Sequence, residues 1–253
     1  GLGDVYKRQM LLWGASASAD TLDFLKPFWM QMMDGVSNTA SGKIPENVAV
    51  TCADERLTVE ACGVLLENDY SAEAHVYAVL KNTGSERLPI RSVQMTVLGA
   101  NRNTLHQENY VSYMPSVVEP GETMLVSEWM YDFVKEIGKV DSIQISVETA
   151  SRVNEIWKQL GDVRAWLDGD YLCVEFTNTT EKTLFGVICA ATVSDANGQI
   201  LDMMMQSPYD TDDLGIAQGS SIVWRKRLED AATLKIGTDT VCNCLLYTSD
   251  AAD

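Results

Sequence analysis

The sequence predicts an all-β protein: two tandem immunoglobulin-like β-sandwich domains preceded by a short N-terminal helix. Three observations carry that expectation. From Val48 onward the apolar residues alternate with a period of two, the signature of strands rather than helices. Gly, Asn and Pro break the pattern at short, regular intervals, as in sandwiches and barrels. The third is internal similarity at a constant offset of 96 residues. Val76–Gly84 lies over Leu172–Thr180, and without a gap Val93 meets Cys189, Val97 meets Val193, Leu105 meets Leu201 and Tyr113 meets Tyr209. A repeat of that period matches one sandwich of immunoglobulin-like size.

Taken in order, Thr21–Val36 carries Leu22, Leu25, Phe28, Trp29, Met32 and Met33 at roughly the spacing of one helical face, with Pro27 in its second turn. Ser37–Gly42 reads as a linker. In the first shared strand Val76, Ala78 and Leu80 face one way, like Leu172, Val174 and Phe176. Tyr77, Val79 and Lys81 face the other, as a half-buried antiparallel strand requires. The segments beginning at Asn82 and Asn178 end these strands, because Asn bonds its own backbone and tolerates turn geometry. Val93, Met95 and Val97 correspond to Cys189, Ala191 and Val193, so Cys173 and Cys189 fall on opposite faces and should not bond. Asp195-Ala196-Asn197-Gly198 and Asp168-Gly169-Asp170 are hairpin turns. Pro115 and Pro120-Gly121 sit between strands, where proline harms no ladder. Ser142–Glu148 is a strand; Glu128–Lys139 is open to a short helix or an excursion before it, and Ser151–Leu160 to a helical linker or the lead into the first strand of the second copy.

The two ends are foreign to this pattern. Asp4–Gln9 and Cys244–Ser249 can be back-translated into each other's complementary strand, and the stretch resembles the mosaic-end adapter of transposase-made sequencing libraries. Residues 1–9 and 244–253 are therefore expected to be adapter artefacts that pack poorly or are disordered. Excluding them moves the formal net charge from −17 to −16. Met10–Ala15 is apolar and runs into Ala17-Ser18-Ala19, a small-x-small site before Asp20, so residues 10–19 read as a truncated signal peptide. Residues 20–47 are then helix and linker, 48–150 the first sandwich and 151–243 the second. So acidic a chain repels phosphate backbones and anionic lipid, which argues against nucleic acid. No apolar run reaches the roughly 20 residues of a membrane span.

The strand ending in Asn-Thr, the turn Ser194–Gly198 and Pro120-Gly121-Glu122 before another strand resemble FxLYD-type domains of exported bacterial proteins. The resemblance covers about Leu57–Val147 and Val163–Val241. The naming motif is absent: where it would fall, the second copy has Ala191-Thr192-Val193-Ser194-Asp195. The resemblance implies immunoglobulin-like sandwiches, frequently in tandem, and no catalytic residues.

Residue chemistry points the same way. The two histidines, His75 and His106, have no His or Cys at ligand spacing and read as structural or solvent-facing. No G-x-S-x-G, G-x-G-x-x-G, phosphate loop or H-E-x-x-H occurs. Asp210, Asp212 and Asp213, before Gly215, resemble the opening of a calcium loop, but Ser221 stands where the bidentate Glu belongs, so an acidic turn is preferred. Met203-Met204-Met205, with Met30, Met32 and Met33, read as core. Trp129, Tyr131, Trp157, Trp166 and Trp224 are divided between core and a patch for sugar or protein. Asn178-Thr179-Thr180 matches a glycosylation sequon but ends a strand. Without Cys244 the cysteines are odd in number and lack C-x-x-C spacing; the pairing of Cys52 and Cys62 stays open. The expectation is a non-enzymatic, secreted or envelope protein. It would bind an unknown protein or glycan ligand or act as a spacer, with no cofactor, metal or catalytic residue. The alternative is a set of accessory domains of a larger secreted enzyme.

Overall fold

Alternation of apolar residues over long stretches gives this chain strands throughout, and the computed structural model contains 17 of them among its described residues. Those residues are 44–46, 48–68, 72–130, 140–151, 158–161, 163–206, 215–228, 234–237 and 239–248. No helix occurs among them. The expected helix at Thr21–Val36, the signal peptide and residues 1–9 lie outside the described residues.

Two sheets enclose the first core. One has the order β1 (Ile44–Glu46), β3 (Leu57–Asn68), β4 (Ala72–Asn82), β9 (Thr123–Met130), β7 (Ser112–Met114). The other runs β2 (Ala49–Cys52), β10 (Val140–Thr149), β5 (Leu88–Gly99), β6 (Thr104–Glu108), with β8 (Val117–Val118) also pairing β5. Between them Val76, Ala78, Leu80, Val93, Met95, Val97, Ile143 and Ile145 are fully buried, one from every second position of each strand. Glu128–Met130, left open by the sequence, continues β9. One pairing departs from the antiparallel expectation. The chain crosses from the first sheet to the second, so β2 lies parallel to β10, with Ala49–Cys52 against Ser142–Ile145.

Two further sheets enclose a second core. Their orders are β11 (Lys158–Leu160), β17 (Val241–Thr248), β14 (Val187–Ser194), β15 (Ile200–Gln206), and β12 (Val163–Asp168), β13 (Tyr171–Thr177), β16 (Ser221–Arg227). Leu172, Val174, Phe176, Cys189, Ala191, Val193 and Trp224 fill the space between them. The β14–β15 hairpin turns at Asp195-Ala196-Asn197-Gly198, where Gly198 takes φ +83° and Asp195 Oδ1 accepts from the N–H groups of Asn197 and Gln199. Gly169 does the same service between β12 and β13, at φ +57°.

Asn82 and Asn178 hold matching corners. Each is fully buried. Asn82 donates its amide to the carbonyls of Glu86 and Val118 and accepts from the Gly84 N–H. Asn178 donates to the carbonyls of Lys182 and Ile216 and accepts from the Thr180 N–H. Their main chains repeat the match, bonding Glu122 and Gly121 in one case and Ser220 and Gly219 in the other. A buried amide with all its bonds made is stabilising; an unpaired one is costly.

The outward faces of β3, β4 and β9 are not solvated as a half-buried strand would be. Leu65, Tyr77 and Leu125 pack instead against Ala190, Ile200, Leu201 and Met203 of the second pair of sheets. This third apolar cluster joins the halves, and residues 42–253 form one compact unit.

The C-terminal expectation is overturned for Cys244–Thr248. These residues do not pack poorly: they continue β17, a central strand between β11 and β14, and Tyr247 is 1% exposed. Cys244 faces the second core while Leu245 turns to the seam. The physical reason is compositional. Leu, Tyr and Thr suit a pleated, buried strand, and the slot beside β14 offers a full ladder of backbone partners.

Candidate binding cleft

At one end of the seam, β4 and β9 of the first half meet β15 and β16 of the second. The cleft between them is lined by His75, Tyr77, Ser127, Glu128, Trp129, Asp202, Met203 and Lys226, and has a volume of about 190 Å³. Strand register places these groups. Odd positions of β4 carry His75 and Tyr77 away from the first core, and His75 pairs with Trp129 across the ladder. On β15, Asp202 precedes Met203; on β16, the inward register of Ile222 and Trp224 continues to Lys226.

Asp202 is the floor. Its side chain is 2% exposed and is paired with Lys226 Nζ at 2.6 Å. Asp202 Oδ1 also accepts from the Met203 N–H at 2.7 Å and from the Tyr77 hydroxyl at 3.4 Å. Lys226 further donates to the Met203 carbonyl at 2.8 Å. Asp202 Oδ2 is buried and accepts no hydrogen bond among the described residues. Tyr77 OH stands 3.2 Å from His75 Nδ1, and the imidazole lies 4.1 Å from the Trp129 ring, tilted by 48°. Trp129 itself is 40% exposed. Burial pushes the Glu128 carboxyl above its ordinary value, and the charge of Glu108 adds to this, against the N–H groups of Trp129 and Ser112. The cleft thus offers hydrogen-bond donors, acceptors and an aromatic face. Asp202 and Lys226 are committed to each other, an arrangement suited to holding a ligand.

The other sequence-derived candidates are scattered. His106 sits on β6, partly buried, apart from His75. Met204 faces the second core while Met203 and Met205 face the seam. Trp224 is core, and Trp166 lies on β12 under the guanidinium of Arg164 at 5.0 Å. Asn178 spends both amide protons on carbonyls, leaving none of it at the surface. Asp210, Asp212, Asp213, Tyr131, Trp157, Met30, Met32 and Met33 lie outside the described residues. Among the described residues no group of three His, Cys, Asp or Glu could hold a metal ion. All six cysteines are free thiols, with Cys189 Sγ 3.9 Å from Cys244 Sγ.

Sequence reasoning missed Asp202, Lys226 and Tyr77. Two signals were there to find. Asp202 is a lone charge inside the apolar run Ile200–Met205, and Lys226 occupies an inward position in the alternation of β16. A buried charge needs a partner, so each predicts the other.

No family model matches the sequence, and no curated protein matches it. Among solved structures the chain is similar to red sea bream transglutaminase, at 12% identity and a TM-score of 0.21. The match covers 78% of this chain and spans 29% of that one, and nothing of that enzyme extends to this chain. The class stands on the strands: this is an all-β, sandwich-like protein. Among the described residues no helix is long and apolar enough to cross a membrane.

Proposed function

We propose that this is a non-enzymatic, exported bacterial protein in which tandem immunoglobulin-like domains, one on each side of the seam, act as a binding or spacer module at the cell envelope. The observation that carries the reading is the seam. Leu65, Tyr77 and Leu125 bury against Ile200, Leu201 and Met203, which favours two domains held at one angle over beads on a string. The matched corners at Asn82 and Asn178 support descent of the two halves from one domain. The export part of this reading rests on the small-x-small sequence Ala17-Ser18-Ala19 before Asp20.

The test is to express the complete reading frame in a bacterial host, fractionate the cells and sequence the N-terminus of the product. A protein in the envelope or medium that begins at Asp20 is the expected result. An uncut protein in the cytosol overturns it.

A further inference from the structure

We infer that the cleft between β4, β9, β15 and β16 binds one residue of a neutral sugar, with Trp129 as its platform. This rests on the binding-module reading and gives it a ligand class. The indole is half exposed at the rim, and its contact with His75 holds it in place before any ligand arrives. Pre-ordering of that kind lowers the entropic cost of binding. An aromatic face is the natural seat for the C–H side of a pyranose ring.

Charge decides between ligand classes. A cation and an anion each lose hydration on entering, and the Asp202–Lys226 pair, already neutralised, offers neither of them an unpaired counter-charge. A neutral polyol meets neither penalty and can use both kinds of group. Lys226 commits two of its three N–H groups, to Asp202 and Met203, and its side chain is 33% exposed. The third N–H is then available to a sugar oxygen. The Ser127 hydroxyl, on the same face of β9 as Trp129, accepts from a sugar hydroxyl at the rim. Size sets the last limit. At about 190 Å³ the cleft falls below the roughly 300–1,000 Å³ of sites for drug-sized molecules, and suits a single ring.

The test titrates the full chain with the methyl glycosides of glucose, galactose, mannose and N-acetylglucosamine at millimolar concentration, following the indole N–H resonances. At least one glycoside is expected to shift the Trp129 signal. Trp129→Ala should weaken that binding about tenfold, the scale of one lost aromatic contact. Trp166→Ala, on β12, should leave it unchanged. Where Trp129→Ala lowers the unfolding midpoint, Ser127→Ala decides: weakened binding supports the site, and unchanged binding overturns it. The proposal is also overturned if no glycoside shifts the signal, if binding survives in folded Trp129→Ala, or if n-butylammonium binds in the glycosides' place. A negative titration of a protein that is correctly exported sinks the sugar site alone. An uncut cytosolic protein sinks the envelope module whatever the titration gives.

Discussion

Gly63 of β3 lies directly against the backbone carbonyl of Ile200 of β15, across the seam between the two halves. A Cβ at position 63 would overlap that oxygen and come within 2.8 Å of the carbonyl carbon. Neither partner is a flexible side-chain end, so the clash can be relieved only by moving strands. Gly63→Ala is expected to destabilise the fold by about 1–3 kcal/mol, the usual cost of overpacking. Chemical denaturation measures it. A midpoint equal to that of the parent protein would show that the seam yields without cost.

The buried Asn corners give a paired prediction. Asn82→Ala and Asn178→Ala each remove two bonds to main-chain carbonyls, and a buried carbonyl left with no partner at all costs roughly 1–3 kcal/mol. The two variants should cost amounts of the same order: Asn178→Ala also loses a bond from the Thr180 hydroxyl, but the Ile216 carbonyl keeps the Leu184 N–H. A large loss at one position and none at the other would separate the corners. In a host that glycosylates sequons, intact mass should show Asn178 unmodified, since its amide is buried and bonded.

The ion pair under the cleft should behave asymmetrically. Lys226→Met leaves the Asp202 carboxylate buried without its cation, a change that costs about 3–5 kcal/mol when both partners are enclosed. Lys226 is 33% exposed, so roughly 1–3 kcal/mol is expected after solvent screening. Adding Asp202→Asn to Lys226→Met should recover part of the loss. A double variant no better than the single one would mean that the carboxylate was not the source of the strain.

Acid titration separates two carboxylates. Glu128 is held above its ordinary 4.5, so the folded chain binds that proton more tightly than the unfolded one. Stability therefore falls as pH rises from the unfolded value through the raised one. Asp54 is held below its ordinary 3.8, chiefly by the Arg56 side chain. Its contribution is present above that value and is lost as pH falls through the lowered one. Denaturation midpoints across the acidic range should show Glu128→Gln removing the first slope and Asp54→Asn the second. Unchanged slopes in either variant contradict the assignment.

The Cys244 thiol beside it, and then burial, push the Cys189 thiol well above the ordinary range. Only the thiolate reacts with alkylating reagents. Iodoacetamide at mildly alkaline pH should leave Cys189 unlabelled in the native protein and label it in denaturant, as peptide mass spectrometry can establish. Native labelling at the rate of a free thiol would place Cys189 elsewhere.

Alternation made the faces of β4, β5, β13 and β14 legible from the sequence, because period two follows from the pleat alone. Val76, Ala78 and Leu80 went inward for that reason. What covers the opposite face is a different kind of fact. Tyr77 and Val79 look like residues of a solvated face until the second pair of sheets is laid over them, and no local pattern announces that. The parallel β2–β10 pair escaped notice likewise, since residue type does not encode strand direction. Cys244–Thr248 went wrong in the opposite sense: residues expected to pack poorly have a composition that suits the slot beside β14. The cleft followed the seam. Its residues come from four strands whose proximity is set by tertiary contact, and only the out-of-place charges Asp202 and Lys226 left a trace in the sequence.

The Asn corners have a consequence for descent. Each side-chain amide bonds main-chain atoms, at Glu86, Val118 and Gly84 in one half and at Lys182, Ile216 and Thr180 in the other. These bonds put no constraint on the side chains of the residues that supply those atoms, and those side chains differ between the two halves. A corner held this way can outlive nearly every letter around it. Distant kin of this chain would then be recognised by an enclosed amide at the end of a strand long after any alignment had failed.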